Sequence, residues 1–393
     1  MAEKRGIASA PVHGRRVLVR VDFNVPQDAN GQIADDRRMV EALPTLNHLR
    51  AAGARTILLS HLGRPDGQRD ARLSLRPVAH HLSSLLGQPV SFSEEIVGAR
   101  TLELATRLQN GQFLMLENLR FHPGEEANDP AFAVQLANLG QLFIEDAFGT
   151  VHRAHASTVG VPKRLPPFAG LLVEREVREL SKLIEAPARP YVVVVGGAKV
   201  ADKLPLLTSF LGRADSLLIG GALAFPFLAA QNLRLGATPV EPGLKPAVDE
   251  FFQRASAAGT EVVLPSDVVV ERPGTPEPSV HAVGHLPPGG LARDIGPATR
   301  ARFAEVLAGS KTVFWNGPLG LAEDSRFANG TREVLARLGE VPGYHVAAGG
   351  DSARIAQDLG VAASFQFIST GGGAALEFVQ GIELPGLAVL PDA

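Results

Sequence analysis

The sequence predicts an α/β protein of two lobes, each a mainly parallel sheet with helices on both faces, joined by a hinge helix. Three observations carry this. Apolar β-branched runs such as Val192–Val195 lack the alternation of a half-wet strand and read as strands buried on both faces. Helical patterns follow these runs again and again, as in βα arrays. The length of 393 residues suggests two or three domains, and a proline-bounded helical stretch separates two strand-rich halves.

In the N-terminal half, Arg16–Val25 reads as the first strand. Val17, Val19, Val21 and Phe23 share one face, and Arg20, Asp22 and Asn24 the other. Pro26 stops it. Asp35-Asp36-Arg37-Arg38 opens a helix through Leu49, with acids in the first turn. Thr56–Ser60 is a second buried strand running into His61-Leu62-Gly63-Arg64-Pro65. Phe113–Phe121 is another, with Arg120 near its end, and Leu142–Asp146 runs into Phe148–Arg153. Taken singly, His61 reads more readily as a capping or core histidine. Several cationic strand ends on one parallel sheet, however, make a basin suited to a small phosphate or carboxylate.

Val173, Val177, Leu180 and Ile184 recur at helical spacing between Pro166-Pro167 and Pro187–Pro190, so this helix reads as an interdomain connector or, equally, as one more surface helix. Beyond it, strands end in glycine. Val192–Val195 leads to Gly196-Gly197, Ser216–Ile219 to Gly220-Gly221, and Thr312–Trp315 to Asn316-Gly317. His345–Ala348 leads to Gly349-Gly350-Asp351-Ser352, and Phe365–Ser369 to Gly371-Gly372-Gly373 before a helix over Ala374–Gln380. One or two such glycines are ordinary βα turns; five clusters on one edge point to a backbone approached closely by a ligand. Lys199 and Lys203, four apart at a helix start, project the same way and suit a polyphosphate. Asp351, at another helix start, is a candidate Mg²⁺ ligand or an N-cap. Pro265–Gly290 is expected to be a strand followed by a long loop or hairpin.

Composition narrows the classes. A net charge of -3 gives no reason to expect nucleic acid or an anionic membrane as partner. The absence of cysteine excludes disulfides and thiolate metal sites. The N-terminus has no apolar signal core, and the longest apolar run, Leu217–Ala230, is broken by Gly220, Gly221 and Pro226. A cytoplasmic enzyme is expected. There is no Gly-Lys dipeptide, hence no P-loop, and no strand is followed by G-x-G-x-x-G, which weakens a dinucleotide oxidoreductase. A non-catalytic two-lobed anion binder is the other class. Lysines and a candidate metal acid in one lobe, with an anion basin in the other, favour transfer between two ligands.

Ordered motifs along nearly the whole chain resemble those of phosphoglycerate kinases. They are RVDFNVP at Arg20–Pro26, SHLGRP at Ser60–Pro65, ENLRFHPGEE at Glu117–Glu126, DAFGTVHRAHAST at Asp146–Thr158 and GGAKVADK at Gly196–Lys203. DIGP at Asp294–Pro297, WNGPLG at Trp315–Gly320, GGDSA at Gly349–Ala353 and STGGGA at Ser369–Ala374 continue the series. The resemblance implies a 3-phosphoglycerate domain over 1–166, a connector over 167–187 and a nucleotide domain over 188–374, with the tail 375–393 packing back on the first. It implies a 3-phosphoglycerate site of Asp22, Asn24, Arg38, His61, Arg64, Arg120 and Arg153. Arg38, not Arg37, fits the family's spacing from Leu43-Pro44. MgATP or MgADP would be held by Gly196, Lys199, Lys203, Gly221, Ala292, Asn316, Glu323, Gly349, Gly350, Asp351 and Ser352, with Asp351 on the metal and Glu323 on the ribose. Arg38, Lys199, Gly372 and Gly373 would act on the transferring group, and a monomer is expected. The chain departs from the family pattern at Gly220-Gly221-Ala222, at Ala292-Arg293 and at Ala375. The first two bear on adenine contacts rather than on phosphate chemistry.

Overall fold

The computed structural model describes residues 3–350 and 352–393. Two six-stranded, all-parallel sheets organise it. The first comprises β1 (Arg16–Arg20), β2 (Arg55–Leu59), β3 (Val90–Phe92), β4 (Phe113–Met115), β5 (Leu142–Glu145) and β6 (Pro167–Ala169), in the order β3-β4-β2-β1-β5-β6. The second begins with β7 (Tyr191–Val195), β8 (Ser216–Ile219) and β9 (Glu261–Val263). A separate antiparallel sheet follows, from β10 (Asp267–Glu271), β11 (Ser279–Ala282) and β12 (Leu291–Ile295), so the expected strand-and-hairpin stretch is a hairpin completed by a third strand. The second parallel sheet then resumes with β13 (Thr312–Asn316), β14 (Tyr344–Ala347) and β15 (Phe367–Ile368), in the order β15-β14-β13-β7-β8-β9.

Both faces of each parallel sheet are covered, which is why the strands read as unbroken apolar runs. In the first sheet, Val17, Val19, Leu58 and Met115 join one core cluster with the helices Arg37–Ala51 and Arg76–Leu86. Leu18, Ile57, Leu59, Leu114 and Phe143 join the opposite one with the helices Ala99–Arg107 and Pro130–Ala137. In the second sheet, Val192, Val194, Leu218, Val313 and Trp315 pack with the helices Pro297–Ala308 and Asn329–Leu338. Each fully buried side chain of this kind contributes roughly 1.5–3 kcal/mol.

Two expected strands stop early, for one reason: side-chain oxygens intercept the backbone. β1 ends at Arg20 rather than Val25. Ser60 Oγ takes the Phe23 N–H at 3.0 Å, and Asp22 Oδ1 takes that of Asn24 at 3.4 Å. β4 ends at Met115 rather than Phe121. There Glu117 Oε1 takes the Asn118 N–H at 2.8 Å, and Asn118 Oδ1 that of Arg120 at 3.1 Å, turning Leu119–Phe121 into a single 3₁₀ turn. The first helix begins at Arg37, with no acid in its first turn. The Asp35 carboxylate instead binds Arg37, which holds it below the usual carboxylate range.

The chain forms two compact units. One runs to Arg178 and takes back Glu383–Ala393; the other is Glu179–Ile382. The first therefore extends beyond residue 166, because β6 completes its sheet, and the change of unit falls within the helix Leu171–Ser181. The helix Gly373–Val379 belongs to the second unit, so the returning tail starts at Glu383 rather than 375. Within the first unit that tail is bonded by Gly386 N–H to Val151 O at 2.8 Å and by Lys4 Nζ to Asp392 at 2.8 Å.

Candidate active site

In an open parallel sheet the crevice for a ligand opens where neighbouring strands send their following chain in opposite directions. The order β3-β4-β2-β1-β5-β6 places that point between β1 and β5 in the first unit. The order β15-β14-β13-β7-β8-β9 places it between β13 and β7 in the second.

Beyond the β1 edge of the first unit, Arg38 Nη1 pairs with Asp22 Oδ2 at 2.8 Å and reaches the Asn24 carbonyl at 3.3 Å. Arg37 is turned onto Asp35, so Arg38 is the arginine that joins this group. Asn24 Oδ1 accepts the Gly63 N–H at 2.9 Å, and Arg120 Nη1 donates to the Gly63 carbonyl at 2.6 Å, so one glycine links these two side chains. Arg120 is almost fully buried and pairs with Glu126 at 3.1 Å. His61 is buried; desolvation first, then the charges of Arg20, Arg120, Arg38 and His155, hold its pKa well below 6.5, so the ring is neutral at pH 7. Arg153 is half-buried and donates from Nε to His152 at 3.2 Å, whereas Arg64 is exposed.

On the glycine edge of the second unit, Gly196 N–H bonds the Asn316 carbonyl at 3.0 Å and Gly197 N–H that of Pro318 at 2.9 Å. Gly221 has φ +64°, and a Cβ there would stand 2.9 Å from Pro318 O. Lys203 Nζ donates to Asn316 Oδ1, and burial lowers its pKa. Asn316 Nδ2 donates to Ala348 O at 2.6 Å, just before Gly349. Ser352 Oγ donates to the same carbonyl at 2.9 Å and accepts Gly317 N–H at 3.2 Å, so its hydroxyl braces two loops.

Lys199 is exposed at the N-cap of the helix Val200–Ser209, and Gly350 is exposed as well. Glu323 is exposed, 3.9 Å from Arg354. Ala292 is buried on the antiparallel sheet, where its N–H bonds Thr238 Oγ1 at 2.9 Å, and the unusual Arg293 is drawn onto Glu271 at 2.9 Å. Gly372 and Gly373 begin the helix Gly373–Val379. Asp351 lies outside the described residues.

A family model described as phosphoglycerate kinase matches residues 7–382. The chain belongs to the phosphoglycerate kinase family. It is 45% identical over 386 residues to the phosphoglycerate kinase of Coprothermobacter proteolyticus, covering 98% of each chain. It is 46% identical over 391 residues to that of Herpetosiphon aurantiacus, covering 99% of each. Among solved structures, the phosphoglycerate kinase from Coxiella burnetii matches with a TM-score of 0.89 at 35% identity, over 98% of both chains. Among the described residues, no helix is long and apolar enough to cross a membrane.

Behind the basin of the first unit is a buried layer absent from the expected site. Arg20 is 1% exposed and donates to Ser157 Oγ at 2.9 Å, and Ser157 Oγ donates to Glu125 Oε1 at 2.5 Å. Glu125 is fully buried and its pKa is raised, desolvation outweighing the nearby Arg20. The alternation of β1 did place Arg20 on the face of Asp22 and Asn24. Glu125 lies in a turn and Ser157 in the short π-helix Ala156–Gly160; neither shows a periodic pattern, only a place inside quoted motifs.

Proposed function

We propose that the two strand-end crevices divide the substrates of the family's reaction, reversible phosphoryl transfer between 1,3-bisphosphoglycerate and ADP. The observation that carries this is the cationic basin at β1, where Arg38, His61, Arg120 and their partners converge on one edge. That basin takes 3-phosphoglycerate, with Arg64 and Arg153 completing the set. The paired oxygens of Asp22 and Asn24 suit the substrate hydroxyl, and the arginines its phosphate and carboxylate. The glycine edge takes the nucleotide. Gly196, Gly221, Gly349 and Gly350 let its chain approach the backbone, with Asn316 and Ser352 beside them. Lys199 and Lys203 meet the phosphates, Glu323 the ribose and Ala292 the base.

The acceptor is a carboxylate, already ionised near neutral pH, so no general base is needed. That suits a basin whose buried histidine is held neutral. Catalysis is then positioning plus neutralisation of charge. Arg38 holds the acceptor carboxylate, Lys199 the equatorial oxygens, and the Gly372 and Gly373 N–H groups the transferring phosphoryl. Among the described residues no cluster of three metal-ligating side chains exists. Mg²⁺ would arrive on the nucleotide, since that ion is commonly bound through one or two carboxylates plus substrate phosphates. Asp351 is the proposed protein ligand; the metal would screen charge on the phosphates.

The division of labour extends to the connector. The helix Leu171–Ser181, within which the chain changes unit, is proposed as the hinge that brings the two ligands within reach. We place the enzyme in the cytoplasm as a monomer without nucleic-acid or membrane partners. The deciding experiment is a coupled assay of ADP formation with 3-phosphoglycerate, ATP and Mg²⁺. ADP formed in the presence of all three and in the absence of none supports the reading; no turnover overturns it.

A further inference from the structure

We propose that Arg20 is a positioning residue that fixes His61 as the neutral tautomer with its proton on Nε2, so that the ring meets an anionic ligand as a hydrogen-bond donor. The clause on the ligand rests on the basin being the 3-phosphoglycerate site; the tautomer does not.

Arg20 Nη2 lies 3.1 Å from His61 Nδ1. A guanidinium carries N–H donors only, so Nδ1 must be the acceptor and the ring proton must be on Nε2. The alternative partner for a proton on Nδ1 is Asp22 Oδ1, which at 3.9 Å is beyond hydrogen-bond range. Arg20 cannot readily turn away. Its Nε is bonded to Ser157 Oγ at 2.9 Å and its Nη1 to Val21 O at 2.5 Å. Ser157 is in turn held by both oxygens of Glu125, at 2.5 Å through its hydroxyl and 3.1 Å through its N–H. Donation therefore runs outward from Arg20, through Ser157 to Glu125 on one side and to the imidazole on the other.

The fold supplies this by register. β1 pairs in parallel with β2 so that Arg20 lies opposite Leu59, two residues before His61. Burial and the charges of Arg20, Arg120, Arg38 and His155 all oppose a second proton on the ring. Among the described residues none bonds Nε2, which leaves that N–H for a ligand.

The test uses the full-length enzyme with ¹⁵N-labelled histidine, free of ligand, at neutral pH. Long-range ¹H–¹⁵N correlation reads the proton position, with His61→Gln used to assign the signals. The expected spectrum is a neutral ring protonated on Nε2; a proton on Nδ1, or an imidazolium, overturns the inference. Arg20→Lys, which cannot serve three acceptors in the same fork, should shift the ring toward mixed tautomers. Should that variant fail to fold, Ser157→Ala loosens Arg20 while keeping it and should move the spectrum the same way. An unchanged tautomer in either folded variant removes Arg20 from the role. Steady-state kinetics then tests the ligand clause. His61→Gln, whose amide places a donor near the Nε2 position, should keep the KM for 3-phosphoglycerate within a few-fold, and His61→Asn should raise it by roughly tenfold or more. An Nε2–H spectrum with equal KM values in both variants would keep the tautomer and reject this basin as the 3-phosphoglycerate site.

Discussion

Gly196 lies so close to the carbonyl of Pro318 that an added Cβ would stand 1.9 Å from its oxygen. The neighbouring Gly197 N–H bonds that same carbonyl at 2.9 Å, so the loops after β7 and β13 are in backbone contact at the proposed phosphate edge. Gly196→Ala must push them apart. It should destabilise the second unit by about 1–3 kcal/mol and weaken MgADP binding by calorimetry, with 3-phosphoglycerate binding unchanged. Full nucleotide affinity in the folded variant would show that this contact is not part of the site.

Arg37 and Arg38 are neighbours with different partners, Asp35 and Asp22. Arg38→Ala should lower turnover by roughly 10²–10³ or more, the size seen when one preorganised charge partner is lost. MgATP binding should stay intact. Arg37→Ala should remain within a few-fold of the parent enzyme. Equal losses in the two variants would contradict the assignment of Arg38 as the carboxylate-binding arginine.

Lys199 and Lys203 present a similar contrast within one helix turn. Lys203 is half-buried on Asn316, whereas Lys199 is exposed and available to a ligand. Lys199→Ala should therefore cost little stability but reduce kcat by orders of magnitude, if its charge acts on the transferring group as proposed. The 3-phosphoglycerate Kd should hardly change. A variant with normal kcat would exclude Lys199 from the chemistry.

Much of this could be read from the chain because burial and strand-end chemistry leave plain marks. The Val192–Val195 run predicts a two-face-buried strand, and β7 is that strand, every residue buried. Asp22, Asn24 and Arg38 could be assembled from strand alternation and a motif, and the fold brings them together. What was hidden has physical causes. FLMLENLRF reads as one strand because its apolar pattern continues, while Glu117 and Asn118 withdraw the backbone by side-chain bonds. β3, β6 and β9 are three-residue strands at or next to sheet edges, too short for a period to show. Arg20 looked like a polar strand residue, and its burial depends on Ser157 and Glu125, which are 137 and 105 positions away in the chain. Long-range polar satisfaction of that kind has no local signature.

His155 offers a pH test of that same buried layer. Its ring is nearly buried, and desolvation first, followed by Arg20, Arg120, Arg153 and His152, lowers its pKa from 6.5 to about 4. Glu125 Oε1, 3.9 Å away, does not offset them. Between those two pH values the unfolded chain binds a proton that the folded ring refuses, so stability rises with pH across this window. The contribution is complete above pH 6.5 and is lost as pH falls toward about 4. Its size is on the order of 3 kcal/mol. Glu125, Glu145 and Asp146 are raised by burial and act in the opposite sense, so the wild-type profile alone mixes the two signs. The difference between wild type and His155→Gln isolates the histidine. Amide hydrogen exchange of β1 and β5 reports the first unit by itself, which matters in a two-unit chain that need not unfold in one step. The variant should gain on wild type as pH is lowered from 7 to 4.5, with protection of those strands falling more slowly. Parallel pH profiles in the two proteins would mean that His155 is protonated as readily in the fold as in the open chain.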